Sequence, residues 1–235
     1  MNLGIEGRTA LVCASSQGLG LACAQALAQE GVHVVINGRD AAKLVKTAAG
    51  LRETARGDVT AVAADVTTAD GQARLLAACP SPDILVINNA GPTPGNFADI
   101  ERDRWLATIE ANMIAPLMLI RAVLPTMKQR RFGRIVNITS AMVTTPRPHM
   151  TLSSGARGGL TAAMKGLSLE VARDNVTINN LLPERFDTDR QHQMAKAAMA
   201  RENISYEEAR APNRVDRRKK ARRSQGIRRD LCFPL

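Results

Sequence analysis

A glycine-rich segment near the amino terminus has residue types and spacing suited to holding a phosphate. Residues 13–20 read CASSQGLG, and they join a short apolar run to a helical pattern. Gly18 and Gly20 let the chain and the helix approach closely, and the helix start offers unpaired N–H groups and a positive dipole to a pyrophosphate. Because Ser15 and Ser16 can add hydroxyl donors, the segment predicts a dinucleotide-binding loop rather than an ordinary strand-to-helix turn.

The end of the second apolar run indicates which dinucleotide would fit. It reads INGRD, so Asn37 and Gly38 stand where an acid would bind the ribose 2′-hydroxyl of NAD. Arg39 follows at once, and a guanidinium suits a 2′-phosphate. We therefore expect NADP(H) to be favoured over NAD(H), unless Arg39 is only a solvated loop cation.

Short apolar runs alternate with amphipathic helical runs along most of the chain. Strands are predicted at residues 8–14, 32–37, 59–63, 84–88, 134–139 and 176–181. Helices are predicted at 18–30, 41–55, 68–78, 102–130 and 151–173, with Pro116 expected to kink the longest. Strands that are apolar on both faces imply a parallel sheet covered on both sides. The predicted fold is a three-layer, doubly wound α/β sheet of the Rossmann type, with a ligand crevice at the carboxyl ends of its strands.

Composition limits the class of protein. The 235 residues are 45% hydrophobic and 23% charged, as in a soluble globular domain, and the four cysteines show no CxxC spacing. We therefore expect no disulfide scaffold, no metal site and a reducing, cytoplasmic environment. No apolar run of roughly 18 residues predicts a membrane span, and the first twelve residues lack the pattern of a secretory signal.

The net charge of +10 is concentrated at one end of the chain. Residues 210–235 contain 10 of the 32 Lys and Arg residues but only 2 of the 22 Asp and Glu residues. The rest of the chain is nearly neutral, which argues against nucleic-acid binding by the whole protein. We expect a dinucleotide-binding domain at 1–209 and a basic, disordered tail at 210–235.

Further motifs follow the later strands. Asp65-Val66 follows the third strand, NNAG (88–91) the fourth, and ITS, ending at Ser140, the fifth, while Asn112 lies inside the long helix. With CASSQGLG, these motifs make residues 5–209 resemble the short-chain dehydrogenase/reductase family, nearest to its 3-oxoacyl-[acyl-carrier-protein]-reductase-like members. The combination is highly specific. It implies an NAD(P)(H)-binding oxidoreductase acting on a small-molecule carbonyl or alcohol, with 3-oxoacyl thioesters among the expected substrates.

The resemblance also implies roles for individual residues. Ser140 would hydrogen-bond the substrate carbonyl, and Asn112 would hold a water molecule in a proton relay. The implied cofactor-binding residues are Ala14, Ser16, Gln17, Gly18, Leu19, Gly20, Arg39, Asp65, Val66, Asn89, Ala90, Gly91, Arg157, Phe186 and Thr188. Ala14 replaces the first glycine of the family's TGxxxGxG motif, and Glu184 replaces the glycine of PGxxxT in PERFDT.

The catalytic YxxxK motif of the family is altered. In this chain the motif aligns without a gap on the segment LSSGARGGL. Ser153 occupies the tyrosine position and Arg157 the lysine position, and we expect both at the catalytic site. The only tyrosine of the chain is Tyr206, far along the sequence.

This alteration bears directly on catalysis. Carbonyl reduction needs a proton donor at the oxygen as the hydride arrives, and a tyrosine beside a lysine cation can supply that proton near neutral pH. A serine hydroxyl is shorter and far less acidic, and an arginine stays protonated, so it cannot shuttle protons. Because removing a positioned acid costs about 10²–10⁴-fold in rate, we expect impaired or absent catalysis.

Two residues could supply substitute chemistry. His149 lies between Ser140 and Ser153 in the sequence, and histidine commonly transfers protons near neutral pH, although an exposed loop histidine is the simpler interpretation. Tyr206 would lie over the substrate if the chain follows the family. A hydrolase built on Ser140, Ser153 and His149 is disfavoured because the sequence has no GxSxG nucleophile elbow.

Several interpretations of the tail and of the whole protein stay open. Family members continue with a helix and a final strand, whereas 210–235 has no apolar periodicity. The tail is a nucleic-acid or acidic-surface binding arm, a solvated tail without a role, or the product of a change of reading frame, which we favour. The frame change predicts a missing seventh strand, an exposed sixth strand, and a homodimer through the two long helices rather than a tetramer.

Two functions therefore compete with that of a weakened oxidoreductase. The chain could be a cofactor-binding sensor or interaction module without turnover. It could also be a nucleic-acid-associated protein that acts through its tail, although the neutral body makes nucleic acid the less expected partner.

Overall fold

The computed structural model describes residues 3–184 and 186–210, and it divides into two compact units. The main unit comprises the described residues up to Phe186, and the C-terminal unit comprises those from Asp187 to Arg210. Residues 211–235, which include almost all of the basic tail, lie outside the described residues. The three interpretations of the tail therefore stay predictions.

Six parallel strands form the centre of the main unit. They are β1 (Thr9–Val12), β2 (His33–Gly38), β3 (Val59–Ala63), β4 (Ile84–Ile87), β5 (Gly133–Ile138) and β6 (Val176–Leu181). Their order across the sheet is β3-β2-β1-β4-β5-β6, and every adjacent pair is parallel. The chain order reverses between β1 and β4, which is the topological switch point of a doubly wound fold. The predicted fold class is confirmed, and residues 3–184 and 186–210 contain no seventh strand.

Helices connect the strands and cover both faces of the sheet. In the main unit they are α1 (Gly18–Gln29), α2 (Ala41–Arg52), α3 (Ala69–Ala78), α4 (Arg102–Ile109), α5 (Ala115–Gln129) and α6 (Thr151–Val171). A π-turn, Glu110–Ile114, joins α4 to α5, and short 3₁₀ turns lie at Phe97–Asp99, Ala141–Val143 and Ala172–Asp174. The C-terminal unit contains α7 (Asp189–Glu202) and α8 (Tyr206–Arg210).

The sheet is the middle of three layers because successive side chains of a strand point to opposite faces. In β1, Leu11 packs into a cluster with side chains of α3, α5 and α6, whereas Ala10 and Val12 pack with α1 and α2. These three β1 side chains have no exposed surface. Burial on both faces explains why the strands are apolar along their length.

The disturbance that Pro116 was expected to cause appears one turn earlier, as the π-turn. Pro116 has no backbone N–H, so it cannot complete the α-helical ladder to the preceding turn. The N–H of Ala115 instead bonds to the carbonyl of Glu110, which is the i→i+5 pattern. Asn112 lies at the centre of this turn and is only 5% exposed. The sequence therefore located the irregularity, but not its form.

The stretch from Arg102 to Gln129 corrects the expectation about membrane-length segments. Its 28 residues are long and apolar enough to cross a membrane by length and composition alone. In this chain Leu119, Val123 and Met127 pack into the core against the sheet. Core packing therefore accounts for part of the apolar composition of the stretch, since its apolar window is 39% buried and Leu106 and Met118 are exposed.

Strand β6 lies at one edge of the described sheet. Val176 belongs to the core cluster that includes α6 and the partly buried Ile178 packs against it, whereas Thr177, Asn179 and Leu181 on the opposite face are exposed. Within the described ranges, no strand pairs with its outer side. Residues 211–235 lie outside the described ranges, so the exposure of the sixth strand in the whole chain stays a prediction.

Candidate functional site

The predicted binding segments gather at one edge of the sheet. The loops after β1, β2, β3, β4 and β5 carry most of the predicted residues, and all these strands run in the same direction. Their carboxyl ends therefore lie side by side, as the doubly wound fold requires. The parallel sheet alone brings together residues that are far apart in the sequence.

The loop after β1 is held very close to the start of α1. A Cβ atom added to Gly20 would lie 2.5 Å from the carbonyl oxygen of Ala14, so only glycine allows this approach. The same Ala14 oxygen accepts a hydrogen bond from Asn88 Nδ2 at 3.1 Å. Ala14 itself has φ +44°, in the left-handed region where the family carries glycine. The alanine thus keeps the loop conformation at some cost in backbone strain.

Two polar side chains inside the sheet hold this loop in place. Asn37 is 1% exposed, and its Oδ1 accepts the backbone N–H of Ala14 at 3.1 Å while its Nδ2 donates to carbonyls of the β3 end. The fully buried Ser15 hydroxyl donates to the Val12 carbonyl at 2.7 Å and accepts the N–H of Asn37 at 2.9 Å. Both side chains are therefore occupied by the scaffold. The predicted use of the Ser15 hydroxyl as a phosphate donor finds no support in these contacts.

The start of α1 keeps the features that attract a phosphate. Gly18 begins the helix with φ +59°, and the first turn contains no acidic side chain. Gln17 and Gly18 are exposed, Ser16 and Leu19 are half-buried, and the first N–H groups of the helix have no partner within α1. Lys43, in the first turn of α2, donates a hydrogen bond from Nζ to the Gln17 side chain. A second cation, which the sequence analysis missed, therefore reaches the loop.

The ends of β2 and β3 carry an exposed cation and a carboxylate. The Arg39 side chain is 78% exposed, and its guanidinium lies 4.0 Å from Asp65. Thr67 donates to Asp65 through its N–H at 2.9 Å and its hydroxyl at 2.7 Å. Partial burial acts to raise the pKa of the Asp65 carboxyl, but the Thr67 hydrogen bonds and the Arg39 charge outweigh it, so that pKa lies below its usual value. Asp65 is thus a stable anion beside the half-buried Val66.

The loop after β4 is tied to the long helix. Asn89 Nδ2 donates to the carbonyl of Ala111 at 2.9 Å, and Asn89 Oδ1 accepts the N–H of Ala90 at 2.8 Å. Ala90 is exposed and Gly91 half-buried at the rim of the sheet edge. The NNAG segment is therefore a turn held by hydrogen bonds, and its small residues Ala90 and Gly91 leave open space at the carboxyl edge of the sheet.

Arg157 joins three separate elements of the site. Its guanidinium donates to the carbonyl of Thr139, which follows β5, and to the carbonyl of Asn89, which follows β4, at 3.3 Å for the latter. It also donates to Asn112 Oδ1 in the π-turn, at 3.3 Å from Nε and 3.2 Å from Nη2. The planar fork of five N–H donors explains how one side chain can serve oxygens on three elements. Arg157 therefore holds the carboxyl ends of β4 and β5 against the long helix.

The two serines of the predicted catalytic site lie on neighbouring elements. The Ser140 hydroxyl accepts the N–H of Met142 at 3.2 Å and so caps the 3₁₀ turn after β5. Ser153 lies in the first turn of α6 and is 3% exposed, and helix α6 packs against that 3₁₀ turn. Within the described ranges, the Ser153 hydroxyl makes no hydrogen bond, to Ser140 or to any other residue. Nothing in these contacts activates either serine as a nucleophile, which agrees with the disfavoured hydrolase.

The loops around the substrate side are linked to each other. The carbonyl of His149 accepts the N–H of Gly95 at 3.0 Å, which joins the loop before α6 to the loop after β4. Arg147 forms an ion pair with Glu184, the residue that replaces the family's glycine after β6. His149 is exposed and has φ +65°. Phe186, also exposed, ends the main unit.

The remaining predicted residues belong to the C-terminal unit. Thr188 precedes α7 there. The Tyr206 hydroxyl is hydrogen-bonded to His192 Nδ1 and lies 3.4 Å from an Arg210 nitrogen, and Arg210 pairs with Asp187 at 2.8 Å. The only tyrosine of the chain is thus part of a polar cluster that holds α7 and α8 together. Its predicted role as a substitute acid stays a prediction.

Comparison with known proteins agrees with this architecture. The family model described as "short chain dehydrogenase" matches residues 8–198. The uncharacterized oxidoreductase YvaG of Bacillus subtilis is 32% identical over 212 residues, which are 90% of this chain and 80% of YvaG. The NADPH-dependent reductase BacG of the same organism is 30% identical over 207 residues, 86% of this chain and 80% of BacG. The L-sorbose reductase of Gluconobacter frateurii, solved with NADPH and L-sorbose, has a TM-score of 0.82 at 27% identity and covers 88% of this chain and 80% of its own.

The chain belongs to the short-chain dehydrogenase family. The family resemblance inferred from the motifs is confirmed, and with it an oxidoreductase of the kind that acts on carbonyl or alcohol substrates with a nicotinamide dinucleotide. The residues at the sheet edge fit that dinucleotide, because the glycine-dependent approach of α1 to the β1 loop leaves the helix N–H groups open. Roles of single residues toward it remain proposals.

Sequence reasoning missed two residues of this edge. Lys43 could have been found, since it lies one helical turn beyond Arg39 and follows the capping residue Asp40, whose side chain accepts its N–H at 3.0 Å. The buried anchoring role of Asn37 had no local signal, because its partners lie on β1 and β3.

The contacts of Arg157 predict a stability effect. In Arg157→Lys, one ammonium replaces a fork that serves three elements, so at least one carbonyl or amide oxygen loses its partner. We expect a loss of about 1–3 kcal/mol in the free energy of unfolding. Urea denaturation followed by circular dichroism measures it. Arg121→Lys, at an exposed position of α5, is the control and should change by less than about 0.5 kcal/mol. Equal stability of the two variants would contradict the scaffold role of Arg157.

Proposed function

We propose that this chain binds NADP(H) at the carboxyl edge of its sheet and interconverts a carbonyl and an alcohol slowly or not at all. The observation that carries the proposal is the set of contacts made by Arg157. The cation at the family's lysine position is bound to protein oxygens on three elements. The carboxyl edge of the sheet is therefore stabilised by this cation. Ser153 and Arg157 themselves are poorly suited to proton transfer.

The proposal of cofactor binding rests on the β1 loop and the start of α1. Gly20 permits the close approach of α1 to the loop after β1, and Asn37 and Asn88 hold the N–H and the carbonyl of Ala14. The first turn of α1 carries no carboxylate that would compete with a phosphate. A pyrophosphate can therefore be met by backbone N–H groups and the helix dipole. The bound dinucleotide would supply or accept the hydride, and the chain's own residues would orient it.

The proposal of weak catalysis rests on positions 153 and 157. The Ser153 side chain is short and buried, so it cannot extend a hydroxyl to the place that a phenol would reach. Arg157 stays charged at every accessible pH, so it can neither lower its own charge nor pass a proton on. Ser140 and Asn112 are present, but one caps a turn and the other accepts from Arg157. Substrate orientation can survive where proton supply does not.

A cofactor-binding sensor or interaction module is the second candidate. The same Arg157 contacts favour it, since they stabilise the edge of the sheet without contributing a titratable group. It differs from the first candidate in its role, because the bound dinucleotide would serve sensing or partner recognition and no chemical step.

Binding and turnover measured on the same sample distinguish the outcomes. We expect calorimetry to detect NADPH binding, and NADPH oxidation with a panel of ketones and 3-oxoacyl thioesters to be about 10²–10⁴-fold slower than in Ser153→Tyr/Arg157→Lys. The gain is expected because a phenol beside an ammonium can donate the proton. Ser153→Tyr alone is measured in parallel, since Arg157→Lys should cost stability.

Two results would contradict the proposal in different ways. No heat with either nicotinamide dinucleotide would overturn cofactor binding. Rapid ketone reduction by the unmodified chain would overturn weak catalysis. Binding without any turnover, even with the restored pair, would favour the sensor.

We further propose that the dinucleotide is NADP(H) rather than NAD(H). The exposed Arg39 side chain and the Lys43 ammonium beside Gln17 place two cations next to the loop, and Gly38 makes room for Ser16 between them. Asn37 is occupied by the scaffold and offers no carboxylate to a ribose 2′-hydroxyl. Asp65 lies 4.0 Å from Arg39, but the Arg39 side chain is 78% exposed, so together with Lys43 it can still reach a 2′-phosphate.

Removal of these two cations should weaken NADPH binding selectively. In Arg39→Ala/Lys43→Ala we expect the NADPH affinity to fall about 10–100-fold, since hydrogen bonds to charged groups contribute about 1.5–3 kcal/mol. NADH affinity should change less than about threefold, because NADH lacks the 2′-phosphate. Lys46→Ala, exposed and one turn further along α2, is the control. Calorimetry gives both affinities, and an equal loss for NADH would refute the assignment.

We also propose that the chain forms a homodimer through the long helices. Exposed apolar side chains lie on both of them: Leu106 and Met118 on the α4–α5 stretch and Leu169, 70% exposed, on α6. Burying such side chains is the usual driving force of association. We expect sedimentation equilibrium to give a dimer for the native chain and a monomer for Met118→Glu/Leu169→Glu. Val45→Glu, an exposed apolar position on α2, should remain a dimer. A monomeric native chain would refute the interface.

A cytoplasmic location fits the state of the thiols. Burial raises the pKa of the Cys13 thiol to about 12, and burial together with Asp83 raises that of Cys79 to about 11. Both remain unreactive thiols near neutral pH and need no oxidising compartment. Recovery of the protein in a membrane or extracellular fraction of its cells would overturn this location.

A further inference from the structure

A depression between the loop after β4 and helix α4 has the lining of a small anion site. It has a volume of about 220 Å³ and lies beside Ala90 and Asn112 of the predicted edge. Its walls are the methyl groups of Ala107 and Ala111 and the ring of Pro92. Arg104 is the one charged residue among the described residues that line it. A cation at the rim of an otherwise small and apolar cavity favours a small anionic ligand.

The Arg104 guanidinium is held in place but only partly used. One N–H donates to the carbonyl of Thr93 at 2.8 Å, which fixes the side chain against the loop. This is its single hydrogen bond within the described part of the chain, so most of the five guanidinium donors have no partner there. Guanidinium groups bind carboxylates with two parallel hydrogen bonds. Arg104 is therefore positioned for a carboxylate without needing to move far.

Gly95 determines how closely the guanidinium approaches the loop. A Cβ atom at residue 95 would lie 3.1 Å from Arg104 Nη1 and 3.6 Å from Nη2. Pro92 and Pro94 flank Thr93, and proline limits the backbone freedom of that loop. A methyl group at position 95 would thus shift the flexible end of the Arg104 side chain by a few tenths of an ångström while leaving the charge in the molecule.

Thr108 supplies a second, independent polar group. It lies four residues after Arg104, hence on the same face of α4, and it lines the same depression. The residue is only 7% exposed, yet its hydroxyl makes no hydrogen bond with any residue the structure describes. Its backbone carbonyl, in contrast, accepts from Asn112 Nδ2 at 3.4 Å. The hydroxyl oxygen is not among the buried side-chain atoms that lack a partner, so a ligand or water in the depression can reach it and bond to it.

We propose that this depression, formed by Arg104 and Thr108, binds the carboxylate of a short oxo acid or hydroxy acid. The carboxylate receives N–H donors from Arg104 and the Thr108 hydroxyl, and the carbon chain lies against the alanines. That this acid is a substrate rests on the proposed function. The depression adjoins the proposed catalytic site at Asn112. The anion site itself depends only on the residues that line it.

The test compares a carboxylate with its neutral ester. In protein-observed NMR titrations, acetoacetate should bind the native chain at least tenfold more tightly than methyl acetoacetate. Arg104→Gln should abolish that preference, and Gly95→Ala should reduce it several-fold. Arg102→Gln, which removes an exposed cation two residues earlier without touching the depression, should leave it unchanged. Trp105 fluorescence checks that each variant is folded.

Titrations with and without NADPH separate this inference from the proposed function. If the chain binds no NADPH but still binds acetoacetate in a way that requires Arg104, the anion site is supported although the proposed function fails. NADPH binding without any preference for acetoacetate over its ester would overturn the anion site alone. Displacement of acetoacetate by NADPH would also overturn it, since the depression would then belong to the cofactor.

Discussion

The close approach of helix α1 to the loop after β1 is the constraint on which the rest of the site depends. It is possible because Gly20 has no side chain where the Ala14 carbonyl passes. Asn88, directly after β4, holds the carbonyl of Ala14, and Asn37 of β2 holds its N–H, so three adjacent strands contribute to one turn. The turn sets the direction of α1, and α1 presents its first N–H groups at the sheet edge. If this junction opened, the first N–H groups of α1 would no longer lie beside the other polar groups of the edge.

Arg157 changes what the rest of this edge can do. A lysine offers one ammonium that can remain near a cofactor, whereas this guanidinium spends its donors on β4, β5 and the π-turn. Under the proposed function, such a replacement would stabilise the scaffold and leave no group able to assist proton transfer at this position. The buried Ser153 in the same helix adds no acid in compensation. The structural and the chemical consequences of the two substitutions therefore point the same way.

Much of the fold follows from local pattern. Strands β3 and β6 begin and end where the apolar runs predicted, and α1, α2 and α5 end one to three residues earlier than expected because helix ends fray into turns. The π-turn before Pro116 is different: a missing N–H predicts a defect, but the choice between a kink and an i→i+5 turn depends on the partners around it. The packing of Leu119, Val123 and Met127 against the sheet is likewise a feature that no window of sequence reveals.

The sequence by itself determined the family and the order of strands and helices, because both follow from local spacing and residue type. The tertiary structure alone decided how the residues of the site are used. It turned Asn37 and Ser15 into internal anchors, brought Lys43 to the β1 loop, and bound Arg157 to oxygens on three elements. The physical reason is that a buried polar group takes whichever partners folding places within hydrogen-bond distance, and those partners come from distant parts of the chain.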